Sequence, residues 1–219
     1  MSVFDLIGGQ AARLLLRAGF MRQLVRPASA EKRAGVEADL GRRLLAGLMR
    51  DFPLSRDAGA WDALRRARDL LDPALRSRGL CLKPVALDLR GETGLALPGD
   101  HVVVSPAWVT ARRESLKGLV FHLAALKSLS LLHDSFNRCG SMAAAAVPKS
   151  AEILRRLAGP PRTTEMVFQA DRLAMDLCRA AGFGPDAALD ALARPCADHT
   201  AGLVTPAARI QRLRAALPG

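Results

Sequence analysis

At 219 residues the chain is long enough for one well-packed domain, or one domain with an extra helical arm. Hydrophobic residues make up 50% and charged residues 24%, which excludes a disordered chain, and abundant Leu, Ala and Arg with no Tyr favours helix. The formal charge of +11 is carried mainly by arginine spread along the chain. No aromatic stacking platform, RNP-like motif or Cys/His finger accompanies it, which argues against nucleic acid as a partner.

Residues 4–26 fit a basic amphipathic helix. Phe4, Ile7, Ala11, Leu14, Leu15, Ala18, Met21 and Val25 fall at helical spacing, with Arg13, Arg17, Arg22 and Arg26 supplying charge. Such a helix can pack on its own domain or lie on a membrane surface. Asp5 stands where a secretion signal needs positive charge, and Arg13 and Arg17 interrupt the apolar run. No apolar run reaches the roughly 18 residues a bilayer span needs. The expectation is a cytoplasmic chain, with membrane-surface association through residues 4–26 as the second reading. Pro27 divides this arm, residues 1–27, from a main domain over 28–219.

A second helix is expected from Ala30 to Arg50 and a third from Trp61 to Leu75, with Gly79 as its stop. Strand material is confined to Leu82–Arg90 and His101–Ser105, flanking the loop GETGLALPGD, and suggests a hairpin or a small sheet edge. One helix is expected from Thr110 to His133, another over 163–181, a short one over DAALDALA, and a last one starting near Pro206. SMAAAAVPKS reads as a connector. Cys81, Cys139, Cys178 and Cys196 are far apart without a C-x-x-C pair, so free thiols in a reducing compartment are expected.

Five stretches then appear in a telling order. They are EADLGRRLLAGL, with an E-x-x-x-G spacing at Glu37 and Gly41, then TGLALPGDHVVVSPAWV, LKGLVFHLAALKS, FQADRLAMDLCRAAGFGPDAAL and VTPAARIQRLRAAL. Together, over roughly residues 30–217, they resemble the zinc metallopeptidase family of HtpX, BepA and the CAAX prenyl proteases. The third stretch stands where that family carries H-E-x-x-H. The resemblance implies a zincin-like α+β fold, mostly α, with a small sheet or hairpin packed on the former active-site helix.

It also implies that the chemistry is lost. The motif needs two histidines one turn apart to share a metal, with a glutamate between them as general base. Here His122 holds the first position, Leu123 replaces the base and Leu126 the second ligand. Four residues before Asp171, Val167 replaces the third ligand, and Gln169 replaces another acidic residue. No metal ligand set, catalytic residue or cofactor is then expected. His133 lies eleven residues beyond His122, about 16 Å along a helix, too far to share an ion. A rebuilt set of His101, His122 and Cys196, with His199 nearby, is the alternative that would keep a zinc endopeptidase active.

His122 is expected as a neutral core histidine hydrogen-bonded to Asp171. Arg209 is expected either exposed or paired with Asp171 or Asp176. The candidate peptide-binding cleft comprises His101, Val102, Val103, Val104, His122 and Asp171, with the edge of the His101–Ser105 strand open to an added strand or covered by a loop or the N-terminal helix. The functional expectation is an inactive peptidase homologue that binds a peptide or protein partner. A peripheral membrane or scaffold protein acting through residues 4–26 is the third reading.

Overall fold

A computed structural model describes residues 30–140, 142, 148–158, 163–194 and 203–217. The arm at residues 4–26, Cys196 and His199 lie outside the described residues. The fold is α+β and mostly helical, with one three-stranded sheet. Its opening helices are α1 (Ala30–Asp51) and α2 (Ala58–Arg76). The strands are β1 (Lys83–Ala86), β2 (Gly94–Ala96) and β3 (His101–Val104). Then come α3 (Pro106–Arg112), α4 (Leu116–Leu131), α5 (Asp134–Cys139), α6 (Ser150–Leu157), α7 (Thr164–Ala180), α8 (Asp186–Ala193) and α9 (Pro206–Ala215).

Side-chain caps set most of the helix starts, because the first turn has backbone N–H groups with no partner inside the helix. Asp57 accepts from the Ala60 N–H at 3.0 Å, so α2 begins ahead of Trp61. The helix expected over Thr110–His133 is two helices. Ser105 caps α3 by accepting from Trp108 N–H at 3.0 Å, and Ser115 caps α4 by accepting from Gly118 N–H at 3.1 Å. His133, in the left-handed region at φ 58°, closes the corner between α4 and α5. The helix α6 arises in a segment that sequence periodicity left unassigned, with Ile153 and Leu157 on its buried side.

The strand order is β1-β3-β2, β1 parallel and β2 antiparallel to β3. The expected hairpin of Leu82–Arg90 with His101–Ser105 is therefore corrected. The hairpin partner of β3 is β2, which lies inside the presumed loop. Both faces of the sheet are covered, which is why Val102, Val103 and Val104 run apolar without alternation. Val102 and Val104 join the core of α2, α4 and α7. Val103 and Leu95 face α1 through Leu40, Leu44 and Leu48. Helix α4 runs through the middle, buried continuously from Gly118 to Ser130.

The E-x-x-x-G and A-L-P-G stretches explain each other. Gly99, at φ 79°, makes the turn between β2 and β3 and lies against Ala38 of α1. A Cβ on Gly41 would stand 2.1 Å from the Pro98 carbonyl oxygen, so the helix can seat the turn only with glycine there. Gly41→Ala is expected to cost about 1–3 kcal/mol by overpacking against backbone. Gly35→Ala on the same helix, with nothing within 4 Å of its Cβ, is expected to gain about 0.5–1 kcal/mol. Urea denaturation of the two variants checks the difference in sign.

Candidate functional site

The middle of α4 carries His122, 5% exposed. Its ring meets Trp108 of α3 edge-on at 6.3 Å between centroids and its neighbour Phe121 at 5.7 Å. One turn on, Leu126 lies against Gly94 of β2: a Cβ there would stand 3.2 Å from Leu126 Cδ1 and 2.7 Å from Trp108 Nε1. Leu123 and Val167 are fully buried as well. The positions where the resemblance expects a base and two ligands thus hold packed hydrocarbon. Buried carboxylates or an imidazole there would carry a desolvation cost without a metal to offset it.

Asp171, one turn after Val167 on α7, faces Arg209 of α9. The guanidinium donates from Nε to Oδ2 at 2.7 Å and from Nη2 to Oδ1 at 2.6 Å. Both residues are 1% exposed. This two-pronged geometry matches a planar guanidinium to a carboxylate. It corrects the expectation of an exposed Arg209, selects Asp171 over Asp176 as its partner, and gives Asp171 a charged partner beyond the imidazole expected for it. Gln169 points outward and pairs with Glu165 at 3.5 Å.

His101 belongs to the other end of α4. It sits beside Asp100 and Lys83, and burial together with Lys83 holds its pKa below the usual imidazole value. Helix α4 reaches this turn through Lys127 and Ser130, the nearer of them about 7.5 Å along the axis from His122. The candidate cleft residues are thus spread along one helix: His122 lies at the middle of α4, and His101 of β3 lies beside the Asp100 turn that Lys127 contacts. Among the described residues, no group of three His, Cys, Asp or Glu side chains is gathered closely enough to hold a metal ion. Cys81, Cys139 and Cys178 are unpaired, and burial pushes the Cys139 thiol up to about 11 and Cys178 up to about 12.

The strand edge also moves. β3 is the central strand, bonded on both sides, and Val102, Val103 and Val104 are fully buried. The edge of His101–Ser105 is covered by neighbouring strands, so strand addition at Val102–Val104 is ruled out by geometry. The outer edge of β1 is defended in two ways. Pro84 has no N–H to offer, and the Ala86 carbonyl accepts from Ser55 N–H at 3.0 Å as residues 53–55 run alongside.

β2 differs. Ser105 N–H bonds Thr93 at 2.8 Å and Leu97 N–H bonds His101 at 3.0 Å, so by antiparallel alternation Leu95 faces β3. The backbone groups of Gly94 and Ala96 then aim away from the sheet. Beside them is a hollow bounded by Leu126 and Leu129 of α4, Asp134 and Arg138 of α5, and the end of α6. Its volume is about 10 Å³, room for one water molecule. Asp134, 2% exposed, accepts from Arg138 on Oδ2 at 3.3 Å, and its buried Oδ1 has no hydrogen-bond partner.

A polar cluster that the sequence did not announce tops this edge. Lys127, 2% exposed, donates to Gly99 O at 3.0 Å and to Asp100 Oδ1 at 3.2 Å, and Ser130 donates to Gly99 O at 2.8 Å. Burial holds the Lys127 pKa below its ordinary value, with Asp100 acting against it. Glu37 of α1, 6% exposed, brings Oε1 to 2.5 Å from His133 Nδ1. The signal was a lysine and two serines on a helix with no solvent face. No helix among the described residues is long and apolar enough to cross a membrane. No family model matches the chain, and no curated protein matches it either.

Proposed function

We propose that this domain is a non-catalytic relative of zinc metallopeptidases that captures an extended peptide segment by strand addition. The observation that carries this reading is the outer edge of β2, where strand alternation turns the backbone groups of Gly94 and Ala96, both buried, toward the hollow beside Leu126. An added strand gains affinity from main-chain hydrogen bonds and selectivity from the walls of the groove. Leu126 and Leu129 supply an apolar wall and Asp134 an acceptor for a donor group. Because the hollow is small, capture requires the α5 wall to give way.

Labelled β-casein, an extended chain, is a suitable probe by fluorescence anisotropy. Ala96→Pro removes the outward N–H while the inward bonds of Leu95 and Leu97 persist. Its affinity for casein is expected to fall about tenfold, read at a temperature where circular dichroism shows the variant folded. Slower amide exchange at Gly94 and Ala96 on casein addition is the companion result, free of any substitution. Binding indifferent to Ala96→Pro, no binding by the wild-type chain, or chelator-sensitive casein cleavage would each overturn the reading.

A further inference from the structure

The corner between α4 and α5 sets where the α5 wall stands. Of its two residues, Leu132 and His133, the second adopts the left-handed backbone at φ 58°, a conformation that costs a non-glycine residue energy unless contacts hold it. Backbone bonds from His133 N–H to Ser130 O at 3.0 Å and from Asn137 N–H to His133 O at 2.9 Å fix its main chain, and the Glu37 carboxyl lies against its ring. Nδ1 and Oε1 approach to 2.5 Å although neither meets a partner in aligned hydrogen-bond geometry. At that separation, an oxygen and a nitrogen that both carry lone pairs repel unless a proton lies between them. Asp134, directly after His133, and Arg138 one turn later form the wall beside β2.

The charges around the contact are few. Arg33, on the same helix as Glu37, and Lys127, from α4, are the cations that act on the carboxylate. Lys127 is already held by Asp100 and Gly99. On α5, Asp134 and Arg138 pair with one another. His133 is 41% exposed at its side chain, against 8% for Glu37, so solvent protons reach the imidazole side of the contact.

We propose that the Glu37–His133 contact is a proton-operated latch on the α4–α5 corner, closed when the pair holds its proton and loosened when the pair loses it. Loss of that proton leaves a buried carboxylate oxygen against a ring nitrogen with nothing between them, and weakens one of the contacts on His133. Burial, with His133 acting against it, raises the Glu37 pKa above its ordinary 4.5. A folded-state value above the unfolded one contributes stability that is full below about 4.5 and is lost as pH rises through the folded value. The latch therefore opens with rising pH. Its consequence, easier access of an extended chain to β2, rests on the strand-addition reading above.

Amide-exchange protection factors, corrected for intrinsic rates, test the latch in the full chain. From pH 4.5 to pH 8.5, protection across residues 134–139 is expected to fall about tenfold in the wild type. It is expected to stay flat in Glu37→Gln and in His133→Asn, the latter keeping a residue that tolerates the left-handed region. Wild-type protection that ignores pH, or variants that follow the wild type, would overturn the latch. Labelled β-casein separates the two readings, with binding about tenfold tighter at pH 8.5 expected. Casein binding that ignores pH while protection shifts overturns the regulatory half. Absence of casein binding at both pH values, with protection still shifting, overturns strand addition and leaves the latch standing.

Discussion

Replacing Arg209 by alanine is expected to lower the unfolding free energy by about 3–5 kcal/mol, among the largest effects of any single substitution in this chain. The guanidinium and the Asp171 carboxylate are each 1% exposed and share two short hydrogen bonds. Removing the cation leaves an anion that water cannot reach, and the cost is that of the stranded carboxylate more than of the lost attraction. The pair in place is far less valuable than either truncation implies, because both ions were taken out of water to make it. Arg209→Met combined with Asp171→Leu is therefore expected to recover most of the loss. Urea denaturation of the single and double variants measures both. A double variant as unstable as Arg209→Ala would show that the fork carries stability its burial does not explain.

Lys127→Met is the second large effect, expected at about 2–3 kcal/mol by the same measurement. The ammonium ties the glycine turn between β2 and β3 to the central helix, at 3.0 Å to Gly99 O and 3.2 Å to Asp100. Methionine fills the space of the stem but leaves a carbonyl and a carboxylate short of a donor. Water lessens the loss, since the Asp100 side chain is 33% exposed. Lys127→Arg is not a rescue, because a planar fork cannot replace a compact ammonium in a site that is 2% exposed. Asp100→Asn, by contrast, is expected to cost less than Lys127→Met, since it keeps an acceptor for the amine.

Periodicity was enough for α1, α7 and α8, whose apolar residues recur at helical spacing between recognisable stops. The break at Ser115 was harder, because the stretch from Thr110 to His133 reads as one helix unless the serine is taken as a cap. β2 was illegible for a physical reason: Gly-Leu-Ala has no strand preference of its own, and β3 supplies its order. Parallel and antiparallel pairing likewise depend on which strand is central, which no single strand encodes. At the site, Leu123, Leu126 and Val167 were legible as apolar positions, and the structure buries all three. Arg209 was not, since α9 carries Arg212 and Arg214 at neighbouring positions and only packing decides which arginine turns inward. Glu37 and Lys127 were missed because each is an ordinary surface residue in isolation, and only their meeting at the Gly99 turn takes them out of solvent.

The sheet has a kinetic consequence. Its strands come from one continuous stretch, with β1 paired to β3 at a separation of 18 positions (Lys83 to His101) and β2 between them. Loop closure over such distances is fast, so the sheet belongs to the early part of folding. The fork joining Asp171 to Arg209 spans 38 positions near the C-terminal end and fastens α9 onto a core that already exists. Interactions made after the transition state govern escape from the native state more than arrival in it. The last helix is then the clasp of the molecule: its loss shortens the lifetime of the folded chain while leaving the speed of its assembly almost unchanged.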